Sequence, residues 1–143
     1  MDRPVMQTQA GDAGAFARFD LARVPSPCFV VDEAKLEENC RVLAGIAARS
    51  GATVLLALKA FAMWAAAPVV MRHLSGTCAS GLWEARLGRR RFGGLVETFA
   101  AAYKADEIDE IAALSDIVVF NTPAQAARFG PAARAGGADL GLR

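Results

Sequence analysis

Two kinds of apolar pattern alternate along the chain. In the longer stretches, apolar residues recur every three or four positions, which is typical of amphipathic helices, whereas the shorter runs are almost wholly apolar and have the length of buried strands. This alternation predicts an α/β protein in which β-α units surround a parallel sheet. The predicted strands are residues 28–31, 53–59, 77–79, 96–100, 117–121 and 138–142.

Helix start and stop signals lie between these runs. Asp32 can cap the first helix and Gly51 can end it. Thr122 and Pro123 can be the cap and the first residue of the last helix, because a proline fits the first turn, where its missing N–H is not needed. Gly88 is expected to end the third helix. The helices in between are predicted over residues 67–74, 81–87 and 106–114.

The apolar run at residues 54–58 suits a strand that is buried on both faces, as parallel strands covered by helices are. Either a doubly wound sheet or a (β/α)8 barrel satisfies this pattern. The chain contains neither the G-x-G-x-x-G loop nor the G-x-x-x-x-G-K-[ST] loop that hold phosphates in nucleotide-binding sheets. The sequence therefore favours a barrel.

The composition is that of a folded domain, since 54% of the 143 residues are hydrophobic. Residues 1–23 show no period and are predicted to form a flexible N-terminal arm, whereas residues 24–143 are predicted to form part of the barrel. The net charge of +1 favours neither nucleic acid nor a membrane surface as a partner, so a small molecule or a protein is expected. The arginines at residues 89–91 are predicted to lie in a solvated loop.

Cysteine usage argues against disulfides and against a metal site. Cys28, Cys40 and Cys78 are widely spaced, form no C-x-x-C pair and share the chain with one histidine. We expect buried thiols in a reducing compartment. The most apolar stretch, residues 61–71, is too short to cross a bilayer, and no leader pattern precedes it. A cytoplasmic location is therefore expected.

Lys59 is the candidate catalytic residue. It ends an otherwise apolar strand, and strand alternation places it on one face with Leu55 and Ala57. In a barrel this face is the interior, and the carboxyl ends of the strands are where barrel enzymes place catalytic groups. A desolvated amine there could form a Schiff base with an aldehyde. The alternative is a lysine that begins the loop and extends into solvent.

Five blocks of sequence, in the same order, resemble the carboxynorspermidine (carboxyspermidine) decarboxylases. The block around the lysine is Ala-Leu-Lys-Ala-Phe-Ala-Met-Trp at residues 57–64. The others are Pro-Ser-Pro-Cys-Phe-Val-Val-Asp at 25–32, Cys-Ala-Ser-Gly-Leu-Trp-Glu-Ala-Arg-Leu-Gly at 78–88, Ala-Tyr-Lys at 102–104 and Val-Phe-Asn-Thr at 119–122. Each block alone is a weak signal, but the ordered set is a strong one.

This resemblance implies a fold-type III enzyme of the alanine racemase and ornithine decarboxylase group, which works as a homodimer. Its members hold pyridoxal 5'-phosphate on a lysine, here Lys59, and remove the carboxylate of carboxynorspermidine or carboxyspermidine in polyamine biosynthesis. It also implies that Ser80, Glu84 and Arg143 lie near the cofactor. The alternatives are a helix cap and a surface carboxylate for Ser80 and Glu84, and a solvated arginine for Arg143.

The family's chains are more than twice as long as this one. The resemblance therefore implies an N-terminal portion of the enzyme, truncated before the last barrel strands and the C-terminal β-domain and inactive by itself. The histidine that stacks on the ring and the glycine-rich phosphate loop would lie in the missing part. The alternative function is a non-catalytic protein that binds the cofactor for storage or delivery, or a decayed regulatory relative.

Overall fold

The computed structural model describes residues 16–143, which form two compact units divided between Asp32 and Glu33. In the described part of the first unit, Leu21–Arg23 form one turn of 3-10 helix, and the Asp20 carboxylate accepts a hydrogen bond from the Ala22 N–H at 3.0 Å. Residues 28–31 form no strand there, so this prediction is wrong. A strand needs a hydrogen-bonded neighbour, and no described strand pairs with this run.

The predicted N-terminal arm falls largely on residues 1–15, which lie outside the described residues, so it stays a prediction. In the second unit, strands and helices alternate. The strands are β1 (Leu55–Ala57), β2 (Gly76–Ala79), β3 (Leu95–Phe99), β4 (Ile117–Phe120) and β5 (Asp139–Leu142). The helices are α1 (Glu33–Ser50), α2 (Ala67–Val70), α3 (Leu82–Leu87), α4 (Ile108–Leu114) and α5 (Pro123–Ala135).

The strands form one parallel sheet whose spatial order, β1-β2-β3-β4-β5, is their order in sequence. Each neighbouring pair is joined by a helical crossover. A doubly wound sheet reverses its strand order at a switch point, whereas a barrel adds each strand beside the previous one. The observed order confirms the predicted α/β fold of the barrel type over these strands.

One face of the sheet packs against the helices, and we call it the helix face. Leu58, which directly follows β1, is 2% exposed and packs against Ala67 of α2. At the other end of the sheet, Val118 and Phe120 of β4 are fully buried in the largest core cluster, together with Ile111 of α4. The helices thus cover every second residue of the strands, as the strand period requires.

The opposite face, which we call the open face, carries the intervening residues. Paired residues of neighbouring strands form rows across it, because the strands are in parallel register. One row contains Ala57, Cys78, Glu97, Ile117 and Asp139. Most of these side chains are half-buried, since no described helix covers them.

The segment after α3 differs from the prediction. The chain continues past Gly88 in a π-helical turn, Gly88–Phe92, and stops at Gly93, whose φ is +74°. Gly88 lies close against Thr77 of β2, since a Cβ at Gly88 would be 2.5 Å from the Thr77 hydroxyl oxygen. Glycine therefore permits close packing here rather than ending the helix.

Arg89 is likewise not part of a solvated loop. Its side chain donates to the carbonyl oxygen of Leu114 at 2.9 Å and to a carboxylate oxygen of Asp116 at 2.8 Å. The same Asp116 oxygen accepts from the Val96 N–H at 2.7 Å. Arg89 thus ties the π-helical turn to the start of β4, which corrects the prediction for this residue. Arg90 and Arg91 are exposed as predicted, but they lie in the π-helical turn and not in a loop.

The cysteines are all free, but only Cys40 is buried. Cys78 is half-buried and Cys28 is exposed, so the prediction of three buried thiols is wrong. The helices formed by residues 16–143 include none that is both long and apolar enough to span a membrane. In the same residues, His, Cys, Asp and Glu side chains do not gather into a group that could hold a metal ion.

Candidate active site

Lys59 lies in the turn that follows β1, at the carboxyl edge of the sheet. The turn is closed by the N–H groups of Ala60 and Phe61, which both donate to the carbonyl oxygen of Ala57, at 3.0 and 3.2 Å. The preceding Leu58 is anchored in the core, whereas the Lys59 side chain is exposed. The desolvation expected from the sequence is therefore not observed, because the described residues leave the open face uncovered.

The other two lysines of the chain are engaged with carboxylates. Lys35 forms an ion pair with Glu38 at 3.4 Å, and Lys104 forms one with Glu107 at 2.7 Å. The Glu107 carboxylate raises the pKa of Lys104, so that amine is held in its charged form. Lys59 takes part in no ion pair found among residues 16–143. Of the three amines, it is the one whose surroundings leave it available for bonding to a ligand.

Cys78 marks the part of the open face that Lys59 reaches. Its thiol donates to a carboxylate oxygen of Glu97 on β3 at 3.7 Å. Burial raises the pKa of the thiol, Glu97 raises it further and Glu84 adds a smaller increase, whereas the nearby Lys59 acts in the opposite direction. Lys59, Glu84 and Glu97 thus all lie within electrostatic range of one side chain.

Ser80 and Glu84 meet in the turn between β2 and α3. The Ser80 N–H donates to a carboxylate oxygen of Glu84 at 2.7 Å. Ser80 is exposed and Glu84 is half-buried. The Glu84 carboxylate therefore fixes the backbone of this turn next to the Lys59 edge. The helix cap considered for Ser80 is not observed, because α3 begins after Gly81 without a side-chain capping bond.

Arg143 lies at the same edge of the sheet but beyond β5. Its backbone N–H donates to the carbonyl oxygen of Phe120 at 3.0 Å, which extends the β4–β5 pairing. Its guanidinium lies 4.9 Å from the centre of the Phe99 ring. The Arg143 backbone lies four strand-to-strand steps from the Lys59 strand, but its guanidinium reaches Phe99 of β3, which is two steps away. Lys59 and Arg143 thus share one edge of the sheet, and the described structure shows no contact between them.

Tyr103 is a buried residue at this edge that the sequence analysis named only as part of a block. Its hydroxyl lies 2.8 Å from the carbonyl oxygens of Thr98 and Val119, and it accepts from the Ala100 N–H at 3.2 Å. Burial raises the pKa of Tyr103 to about 12, so the hydroxyl keeps its proton and can donate it. Tyr103 thereby joins the carboxyl ends of β3 and β4, where Phe99 and Arg143 meet.

The sequence analysis also did not single out Glu97. The available signal is its position in Leu-Val-Glu-Thr-Phe of β3, where it is the only charged residue of the strand. Alternation places Glu97 with Phe99 on the open face and Val96 with Thr98 on the helix face, where both are fully buried. A charge within a strand of this kind indicates a face that is not packed against helices.

Comparison with known proteins identifies relatives for most of the chain, although no protein-family model matches it. A carboxynorspermidine/carboxyspermidine decarboxylase of Campylobacter jejuni is 43% identical over 107 residues, which are 75% of this chain and 28% of that protein. The enzyme of the same name from Herminiimonas arsenicoxydans is 38% identical over 84% of this chain and 32% of its own length. A carboxyaminopropylagmatine decarboxylase of Synechocystis is 35% identical over 86% of this chain, again 32% of its own length.

Solved structures agree with these relationships. A crystal structure of carboxynorspermidine decarboxylase from Campylobacter jejuni, complexed with norspermidine, matches 82% of this chain with a TM-score of 0.77 and 40% identity. A D-threonine aldolase from Filomicrobium marinum matches 85% of the chain with a TM-score of 0.70 at 20% identity, which supports the fold alone.

The chain spans 28–32% of the length of the curated relatives it matches, and 31% of the solved decarboxylase. These identities and the matching fold confirm the resemblance inferred from the five sequence blocks. In sequence and in fold, the chain is similar to about a third of the carboxynorspermidine/carboxyspermidine decarboxylases.

Proposed function

We propose that this chain carries the cofactor-binding lysine of a pyridoxal-phosphate-dependent decarboxylase that acts on carboxynorspermidine or carboxyspermidine in polyamine biosynthesis. The observation that carries the proposal is Lys59. It is an amine without an ion pair in the described structure, at the carboxyl edge of β1, in a chain that is 35–43% identical to decarboxylases over most of its length.

The donor groups of this edge fit pyridoxal phosphate, the cofactor that fold-type III enzymes generally use. An aldehyde needs a free primary amine, which Lys59 supplies, and an oxyanion needs N–H donors, which the guanidinium of Arg143 supplies. Ala57, at the end of β1, and Ser80, which directly follows the neighbouring β2, have small side chains, as a site for a planar ring requires.

When bound, the cofactor supplies an electron sink for the carbanion that remains as carbon dioxide departs. In this proposal, Lys59 anchors the cofactor through its Nζ atom and carries a proton on that atom once the substrate amine has taken its place. Glu84 keeps the Ser80 turn in position through its hydrogen bond, and Arg143 binds an oxyanion. A neutral Tyr103 holds the strand ends on which Phe99 and Arg143 lie.

The proposed substrate is a carboxylated polyamine. Two of the relatives are named for carboxynorspermidine and carboxyspermidine, and the solved relative binds norspermidine. The Synechocystis relative is named for carboxyaminopropylagmatine, which makes this the natural competing substrate to test. Carbon dioxide release should be measured with all three compounds, using protein expressed from the complete reading frame.

We expect kcat/KM to be highest for one of the first two substrates. Preference for carboxyaminopropylagmatine would contradict the proposed substrate. Bound pyridoxal phosphate without release of carbon dioxide from any of the three would favour the storage or delivery protein, which the decarboxylase relatives do not support.

Assembly and location are part of the same proposal. We propose that the enzyme is a cytoplasmic homodimer and that residues 1–143 alone are inactive. Sedimentation of the active protein as a monomer would contradict the proposed homodimer. Turnover by residues 1–143 expressed alone would contradict the second.

A further inference from the structure

Phe99 and Arg143 form an aromatic–cation pair on the open face, at the carboxyl end of the central strand and two strands from β1. Phe99 is the last residue of β3, and it shares a row with Val119 of β4 and Gly141 of β5. Arg143 follows Gly141 by two residues, and its guanidinium lies over the Phe99 ring at 4.9 Å from the ring centre. The arginine side chain therefore reaches back across β4 to a residue two strands away.

Gly141 keeps the intervening surface clear. A Cβ at this position would lie 2.9 Å from a methyl carbon of Val119, so a larger residue would push into the row that ends at Phe99. Glycine therefore adds no side chain to the surface that the arginine side chain crosses. The direction of the guanidinium is then set by the aromatic ring on which it lies.

The guanidinium keeps its hydrogen-bonding capacity in this position. No ion pair found in residues 16–143 includes Arg143, and its side chain contacts the face of a ring, which accepts no directed N–H bond. An arginine that lies on an aromatic face keeps its in-plane donors available for a planar carboxylate or a phosphate. The pair thus has the properties of an oriented oxyanion-binding group.

We propose that Phe99 is a positioning residue that orients Arg143 to bind an oxyanion of pyridoxal phosphate. This inference rests on the proposed function, because it assigns a task within the same site. Phe99 acts through the guanidinium and not by contact with the reacting atoms.

The test is the dissociation constant of pyridoxal phosphate, measured by titrating the apoprotein expressed from the complete reading frame. Phe99→Leu keeps an apolar side chain but removes the ring, and it should weaken binding about 3- to 30-fold, the range expected for loss of a cation–π contact. Phe99→Tyr keeps the ring and should bind like the wild type. In an Arg143→Gln background, Phe99→Leu should have no further effect, because the residue acts through the arginine.

A matched control exists in α5, where Arg128 lies 4.7 Å from the ring centre of Phe129. Phe129 is buried in the largest core cluster on the helix face. Phe129→Leu should therefore lower the thermal midpoint and leave the dissociation constant unchanged. Phe99→Leu should raise the dissociation constant and leave the thermal midpoint unchanged. Equal weakening by the two variants would show a general structural effect and overturn the inference.

Two further results would overturn it while leaving the proposed function intact. These are wild-type binding by Phe99→Leu, and a loss on Phe99→Leu that is as large in the Arg143→Gln background as in the wild type. If the wild-type protein itself bound no pyridoxal phosphate, the proposed function would be wrong and this inference would fall with it.

Discussion

The helix face and the open face of the sheet are built from alternate residues of the same strands, yet they differ in burial and in chemistry. On the helix face, Val118 and Phe120 are fully buried among the helices. Val119, between them in sequence, is only half-buried on the open face. Glu97 and the neighbouring Thr98 show the same contrast, since Thr98 is fully buried and Glu97 is not.

This difference shows how one strand can serve both stability and chemistry. A step of one residue along a strand moves a side chain to the other face, so neighbouring residues are under different constraints. Burial of a large apolar side chain is worth ~1.5–3 kcal/mol, so the helix face should dominate the free energy of unfolding. Substitutions on the open face should instead change ligand binding and turnover.

The largest effect is expected at the edge of the open face. Lys59→Ala should lower turnover by orders of magnitude and abolish the absorbance of bound pyridoxal phosphate, because the amine that anchors the cofactor is lost. The thermal midpoint of the apoprotein should not change, since Lys59 is exposed. Lys35→Ala on α1 is the matched control and should keep both turnover and absorbance. Retention of the cofactor spectrum in Lys59→Ala would contradict the assignment.

The next largest effect is expected on the helix face, and it concerns stability. Phe120→Ala should lower the free energy of unfolding by about 3–5 kcal/mol, because it empties a site that is fully buried in the core. Val119→Ala, one residue earlier on the open face, should cost much less, because Val119 is half-buried. Urea denaturation of the two variants measures both values. Equal losses would remove the distinction between the two faces.

Tyr103 should make stability depend on pH in the alkaline range. Burial raises the pKa of Tyr103 from 10.0 to about 12, so the folded protein holds the phenolic proton more tightly than the unfolded chain. Its contribution is fully present below pH 10 and is lost as the pH rises through about 12. At about 1.4 kcal/mol per pKa unit, the loss should reach about 2–3 kcal/mol.

Tyr103→Phe should remove this part of the pH dependence. The difference in tyrosinate absorbance between the wild type and Tyr103→Phe reports the ionisation of Tyr103. A titration midpoint near the ordinary value, without a change in stability, would show that the hydroxyl does not join the ends of β3 and β4.

The smallest effect on stability is expected at two threonines of the helix face, Thr77 and Thr98, which are both fully buried. The Thr77 hydroxyl has no hydrogen-bond partner in the described structure, whereas that of Thr98 lies 2.7 Å from the hydroxyl of Ser115. Thr77→Val should therefore raise the free energy of unfolding by about 1 kcal/mol, and Thr98→Val should lower it by a similar amount. Destabilisation by Thr77→Val would mean that its hydroxyl is hydrogen-bonded.

Local signals were sufficient to predict most of the fold. Gly51 follows α1 with a φ of +71°, and the Thr122 hydroxyl accepts from the Gln125 N–H at the start of α5, as their positions in the sequence predicted. The close packing of Gly88 against Thr77 could not be predicted, because it joins residues that are distant in the sequence. The false strand at residues 28–31 has an apolar pattern but lacks a partner among the described strands.

The candidate site was predictable only in part, for a similar reason. Lys59 stands out as a charge at the end of an apolar run, which is a local signal. The pairing of Phe99 with Arg143 and the contacts of Tyr103 join residues from different strands. Those contacts depend on strand order and register, which apolar patterning does not specify.

The central claim is that Lys59 holds the cofactor, and covalent labelling tests it most directly. The protein from the complete reading frame should be incubated with pyridoxal phosphate, reduced with borohydride, digested and mapped by mass spectrometry. Among the three lysines of this chain, we predict that Lys59 alone is modified, because Lys35 and Lys104 are engaged with carboxylates. A label on Lys35 or Lys104 in place of Lys59, or no label at all, would contradict the account.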